Sequence, residues 1–270
     1  MAGVPGLRRG LAILRLLAAG EPLTAATLAA RLGLPRSTTY HLLTELEAAG
    51  VVAHLPDTAR WAVGIGAFEV GTAYLRHHPL DEVAGPSLRR LAHRVGHDVH
   101  LGVLDGRELL YLVRERPPRP QTLVTAVGVR LPAHLTASGR AVLAGLAPAQ
   151  RRALLAGAGP PTRRTDRGPT SLRALSAVLA AEARRGWSVE DGEVSRGYAS
   201  VARAVHGAGG EAVAAISVTF PHQCASPCGT DFADLAAVVG RTAVEVTRHL
   251  GGRSAAGIRP PGPPGAGSSR

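Results

Sequence analysis

Lysine is absent: all 31 basic side chains are arginine, set against 20 acids for a formal net charge of +11. We read that bias as genomic base composition rather than mechanism. Cysteine is nearly absent as well. Two cysteines in 270 residues exclude a disulfide framework and indicate a reducing, cytoplasmic compartment. No apolar run approaches the roughly 18–20 residues that a membrane span needs, so no membrane partner is expected. An export signal is not expected either. Arg8-Arg9 followed by Gly10–Leu14 looks like the start of one, but Arg15 interrupts the apolar stretch. No internal repeat of about 20–50 residues is visible. Ser, His and Asp all occur, yet there is no Gly-x-Ser-x-Gly elbow. The reading is therefore not an enzyme, with no catalytic residues and no cofactor.

What is present is globular composition, 45% hydrophobic and 19% charged. The length suits two modest domains or one large one. The positive charge makes an anionic partner plausible, but it is spread along the chain. Residues 1–79 hold seven arginines against five acids, whereas residues 80–250 hold 21 against 15. Any case for nucleic acid must therefore come from pattern.

The first 64 residues read as three helices and a hairpin. Leu7, Leu11, Leu14 and Ala18 recur at helical spacing, with Ile13 and Leu17 widening the stripe, and Gly20 and Pro22 close that helix. Thr24 is placed to cap a second helix that buries Leu28 and Leu32. Gly33-Leu34-Pro35 makes a tight turn into a third helix over 36–49, with Leu42, Leu43 and Leu46 inward. Two short strands, 51–55 and 60–64, flank Pro56-Asp57-Thr58. Helix, short turn, helix is the arrangement that puts a second helix into the DNA major groove. The outward face of the third helix carries Arg36, Ser37, Thr38, Thr39, His41 and Thr44, with Tyr40 beside them. These suit phosphate and base-edge hydrogen bonds. Arg60 and His54 sit where a wing would touch the backbone. The alternative is a protein-interaction or ligand-sensing module whose winged helix does not bind DNA. A salt-dependent shift of the upstream DNA discriminates the two.

A helix over 65–79 follows, stopping at His77-His78-Pro79. Beyond it the pattern alternates. Strands are expected at 99–104, 109–114, 122–127, 188–190, 199–205 and 212–220. Helices are expected at 80–95, 138–145, 149–156, 171–185 and 231–250. This is α+β with mostly antiparallel pairing. The tail 251–270, rich in Gly, Pro and Ser, reads as disordered. Thr136-Ala137-Ser138-Gly139 begins a helix, where free backbone N–H groups suit a carboxylate. Ser217 and Thr219, two apart on a strand, share a face. Both signals read equally well as an ordinary cap and ordinary sheet residues. His222, Cys224 and Cys228 have ligand-like spacing but no fourth partner, so no metal site is expected.

Four stretches carry a resemblance: Leu28-Ala-Ala-Arg-Leu-Gly-Leu-Pro-Arg-Ser-Thr-Thr-Tyr-His-Leu-Leu43, Leu131-Pro-Ala-His-Leu-Thr-Ala-Ser-Gly-Arg-Ala141, Gly186-Trp-Ser-Val-Glu-Asp191 and Val213-Ala-Ala-Ile-Ser-Val-Thr219. In this order they resemble the isocitrate lyase regulator (IclR) family of bacterial transcription factors, over about residues 6–250. The resemblance implies a winged helix-turn-helix domain over 1–64 and a linker helix over 65–79. It also implies a GAF-like effector-binding domain over 80–250, and assembly as homodimers or tetramers on double-stranded operator DNA. The implied effector is a small organic acid, held by Thr136, Ala137, Ser138, Gly139, Glu190, Ser200, Ser217 and Thr219. In the family the position of Glu190 is usually Asp and that of Ser200 often Cys, so the identity of the effector does not carry over.

Overall fold

The computed structural model describes residues 4–77, 80–118, 126–157, 159–223 and 232–252. The chain divides between Pro79 and Leu80 into two compact units, each described by itself.

In the first unit α1 (Pro5–Ala18) starts on a proline, whose fixed φ suits a first helical turn. Its buried face is one side of the expected stripe only. Leu7 and Leu11 are exposed, while Gly10, Ile13 and Leu17 are buried. A two-residue strand, β1 (Leu23–Thr24), leads into α2 (Ala25–Leu32). Thr24 is the cap, its hydroxyl accepting from the Thr27 N–H at 3.2 Å. Gly33 ends α2 at φ +62°, a conformation open to glycine. Next come α3 (Arg36–Ala48), β2 (Val52–Leu55) and β3 (Arg60–Val63). A turn of 3-10 helix, Pro56–Thr58, joins the strands, and Ala59 is held at φ +50°. The sheet order is β1-β3-β2. Trp61 lies at its centre, opposite both Leu23 and His54, and packs with Ile13, Leu28 and Leu43. α4 (Ile65–His77) belongs to this unit, and Ile65, Phe68 and Val70 on it are exposed.

The second unit begins with α5 (Leu80–Val95), then β4 (Asp98–Asp105) and β5 (Glu108–Glu115) around the Asp105-Gly106 turn. β6 (Arg130–Pro132) follows, where no strand is expected from the sequence. The expected strand 122–127 falls largely outside the described residues, and its last two residues are not strand. α6 (Ala137–Gly145), α7 (Pro148–Leu155) and α8 (Leu172–Arg185) precede β7 (Ser188–Asp191), β8 (Tyr198–His206), β9 (Ala212–Pro221) and α9 (Phe232–His249). One antiparallel sheet, ordered β6-β5-β4-β9-β8-β7, spans the unit. Alternation along the strands sorts its side chains between two faces. Leu101, Val201, Ile216 and Val218 pack with Leu88 and Leu91 of α5 and Val239 and Val246 of α9. Ala202 and Ala215 meet Ala137, Ala141 and Val142 of α6 on the other face. α8 packs on α6, and Trp187 just beyond it is covered by the Arg185 guanidinium, 4.0 Å from the ring centroid. The tail from 253 onward lies outside the described residues.

Candidate functional site

Pro35 stands at the N-cap of α3 and offers no capping side chain, and the first turn contains no acid. Arg36, Ser37, Tyr40, His41 and Thr44 are exposed along one side of the helix. Open N–H groups beside an arginine form a positive end suited to phosphate. Thr39 corrects the sequence reading. It is fully buried and its hydroxyl donates to the Pro35 carbonyl at 3.1 Å. It lies one turn before Leu43, on the core face, so it has no place in an interface. Thr38 is half-buried, and the Thr44 hydroxyl donates to the Tyr40 carbonyl at 3.0 Å. Arg60 on β3 is exposed and turned towards the Pro22 carbonyl, 3.5 Å away. The His54 ring packs at a tilt on Trp61 with centroids 4.7 Å apart, and the His54 backbone N–H donates to Glu47. That contact ties one acid of α3 to the wing.

In the second unit the residues expected around an effector converge where α6 starts over the sheet. Ser200 and Glu190 are cross-strand partners, as are Ser200 and Thr219. The Ser200 and Thr219 hydroxyls are 3.0 Å apart. Ser217 is buried opposite His100, and the His100 ring lies 5.1 Å from that of Tyr111. Ser138 is buried, and its hydroxyl faces the Tyr111 phenol. One expectation is corrected here. Thr136 accepts from the Gly139 N–H at 2.9 Å, so that amide is capped rather than free. Gly139 is needed for packing, because a Cβ there would lie 2.3 Å from the Ala133 oxygen. Ala137 likewise packs into the Ala202 and Ala215 cluster.

The electrostatics fit an enclosed polar site. Burial is the main cause that pushes Glu190 from its ordinary 4.5 up to about 7, with Glu193 adding to the rise and the Val194 N–H opposing it. Burial, then the nearby Arg114 cation, lowers His100 to about 3. Tyr111 is pushed upward by burial first and by Glu190 second. These shifts have opposite consequences for stability. The Glu190 contribution is complete below pH 4.5 and is lost as pH rises to about 7, since the folded protein holds the proton longer. The His100 contribution is complete above 6.5 and is lost as pH falls towards about 3. Glu190→Gln should therefore flatten the decline between pH 4.5 and 7, measured as urea midpoint against pH. An unchanged profile would exclude Glu190 as its source.

Sequence reasoning missed the groups that build the walls. Asp98 and Arg114 form a buried pair at 3.1 Å. Arg140, on α6 two residues after Ser138, is 1% exposed. Its guanidinium reaches Glu182 at 3.3 Å, Glu193 at 3.0 Å and the Val189 carbonyl. The available signal was an arginine inside a run of small apolar residues, where an exposed face is not expected.

Cys224 and Cys228 lie outside the described residues. His222 pairs with Asp191 at 2.8 Å. Among the described residues no cluster of three or more His, Cys, Asp or Glu is placed to hold a metal, and no helix is long and apolar enough to cross a membrane.

The family profile described as "IclR helix-turn-helix domain" matches residues 6–56, and that described as "Bacterial transcriptional regulator IclR C-terminal" matches 72–248. The chain belongs to the IclR family. It is 30% identical to the HTH-type transcriptional repressor AllR of Klebsiella pneumoniae, over 92% of this chain and 91% of that one. It is 33% identical to the acetate operon repressor of Salmonella typhimurium, again over 92% and 91%. An IclR homologue from Microbacterium hydrocarbonoxydans, crystallised with 4-hydroxybenzoate, superposes with a TM-score of 0.76 at 26% identity, over 91% of this chain and 98% of that one. This IclR-family chain is a DNA-binding transcriptional regulator whose binding is modulated by a ligand; it is not an enzyme.

Proposed function

We propose that the chain is a cytoplasmic, homo-oligomeric repressor that reads a palindromic operator with α3 and the β2–β3 wing. Its reading head comprises Arg36, Ser37, Tyr40 and His41, with Thr44 and Arg60 at the margin. The observation that carries this reading is the acid-free first turn of α3, with Arg36 exposed beside uncapped N–H groups. Exposed apolar side chains on α1 and α4, Leu7, Leu11, Ile65 and Phe68, support a second copy as partner. The order of the six-stranded sheet supports a GAF-like reading of the C-terminal unit. The effector is a small carboxylated metabolite that contacts Ser138, Glu190, Ser200, Ser217 and Thr219. The 4-hydroxybenzoate in the Microbacterium homologue supports the organic-acid class. Ligand acts by favouring one placement of the paired DNA-binding units, with α4 as the connection. The shift is limited by the ligand's differential affinity for the two states.

Arg36→Ala tests the interface. If the guanidinium is bidentate to guanine, operator affinity should fall by about 1–3 kcal/mol, roughly 5- to 150-fold in gel shift. If it contacts phosphate alone, the salt slope should instead drop by about one unit. Unchanged affinity and an unchanged slope would remove Arg36 from the interface.

A further inference from the structure

A second cleft lies at the β7 edge of the large sheet. β7 pairs with β8 from Ser188 opposite Ala202 onward, so Arg203–His206 run past it without a strand neighbour on that side. The bare edge, the C-terminal ends of α6 and α8, and the flank of α9 enclose about 320 Å³. That volume falls at the small-metabolite end of known binding pockets, roughly 300–1,000 Å³.

Its charge is unusual for this protein. Other half-buried or buried arginines of the unit have partners: Arg114 pairs with Asp98, Arg140 and Arg185 with Glu182, and Arg151 donates to the Leu143 carbonyl at 3.4 Å. Arg203 is half-buried, yet no hydrogen bond or ion pair engages it among the described residues. A guanidinium withdrawn from water without a counter-charge is costly unless something supplies one. Burial accordingly lowers the Arg203 pKa. The group lies across α9 at Gly240, where a Cβ would stand 3.3 Å from the Arg203 Cζ. A glycine on that turn is what gives the guanidinium its seat. Arg184 and His206 line the same cleft, and Glu182 is the one acid in its lining. One Glu182 oxygen is already engaged by Arg140, Arg185 and the Val189 N–H, at 3.3, 3.2 and 3.2 Å. The remaining field is positive. None of the effector residues Ser138, Glu190, Ser200, Ser217 and Thr219 lines this cleft, so it is separate from them.

We propose that the cleft is a second small-molecule site that takes an oxyanion, a carboxylate or a phosphate group. Arg203 presents the guanidinium fork, and Arg184 adds charge at the mouth. The planar fork of arginine matches either anion through two parallel hydrogen bonds.

Titration calorimetry and thermal melts of the full chain test this, with sodium phosphate and sodium acetate compared against chloride at matched ionic strength. Binding of either probe, with a raised melting midpoint, is expected. Phosphate alone points to a phosphorylated metabolite, and acetate alone to a carboxylate. Arg203→Ala should weaken the effective probe by about tenfold or more, since hydrogen bonds to a charged group contribute roughly 1.5–3 kcal/mol. Gly240→Ala should weaken it too, by displacing the guanidinium. If Arg203→Ala fails to fold, Arg203→Lys keeps the charge, loses the fork and should show the same direction of change. Equal behaviour in chloride, phosphate and acetate overturns the proposal. So does anion binding that survives both the Arg203 and Gly240 substitutions.

Discussion

Arg140→Ala is expected to destabilise the C-terminal unit by about 3–5 kcal/mol, the range for removing one partner of a buried ion pair. The side chain is 1% exposed and its guanidinium joins three structural elements. It leaves α6, meets Glu182 of α8, and reaches the Val189 carbonyl on β7 and Glu193 beyond it. Alanine would leave the Glu182 carboxylate buried with the Arg185 contact and a backbone N–H. Burial already pushes the Glu182 pKa upward against the pull of Arg140. Without Arg140 it rises further and the carboxyl takes up a proton, so the loss should shrink as pH falls. Replacing both groups, as Arg140→Met with Glu182→Leu, should recover much of the stability, because neither fully buried charge then remains, while the partly exposed Arg185 and Glu193 keep their contacts to Trp187 and to the Asp191 N–H. Urea unfolding read by intrinsic fluorescence measures all three proteins. A single-mutant loss below about 1 kcal/mol would show that the cluster is not structural.

Gly139→Ala should be nearly as harmful, although glycine to alanine inside a helix ordinarily stabilises by roughly 0.5–1 kcal/mol. The sign reverses because the added Cβ would stand 2.3, 2.5 and 2.7 Å from the oxygen, Cα and carbonyl carbon of Ala133. These are backbone atoms that cannot rotate away. Relief requires α6 to lift from the turn before it, which strains the Thr136 cap at 2.9 Å. Overpacking of this kind costs about 1–3 kcal/mol, and loss of a cap adds about 1. The displaced helix carries Ser138, so the response of operator binding to ligand should disappear along with the stability. Gly71→Ala in α4 is the control, since a Cβ there meets nothing within 4 Å. It should gain roughly 0.5–1 kcal/mol. If the two substitutions behave alike in thermal unfolding, the close approach at Ala133 is not limiting.

The helices of both units were legible because caps and periodicity are local. Thr24 caps α2, and the Gly33-Leu34-Pro35 turn separates α2 from α3, as their side-chain chemistry dictates. β1 was not legible, since two residues become a strand only when β3 supplies the partner. The same holds for β6, which exists by pairing with β5. On α1 the Ile13 and Leu17 side of the expected stripe is buried, while Leu7 and Leu11 at its other margin are exposed, because spacing alone does not say how wide a face the rest of the unit covers. Thr39 was recoverable: it stands four residues before buried Leu43, on the same face. In the second unit Ser217 and Thr219 could be placed on one face from spacing alone. That His100 would stand beside Ser217, and Glu190 beside Ser200, depended on strand register between segments far apart in the chain. The Arg140 cluster was hidden for the same reason, because its acids come from α8 and the stretch after β7.

The two tryptophans fall one to each unit, in unlike surroundings. Trp61 is 6% exposed within an apolar cluster beside a histidine ring, and Trp187 sits beneath the Arg185 cation. Each unit thus carries its own optical reporter. A phenylalanine in place of either one leaves a full-length protein with a single emitting indole, so melting of the reading head and of the sensor can be followed separately in the same chain.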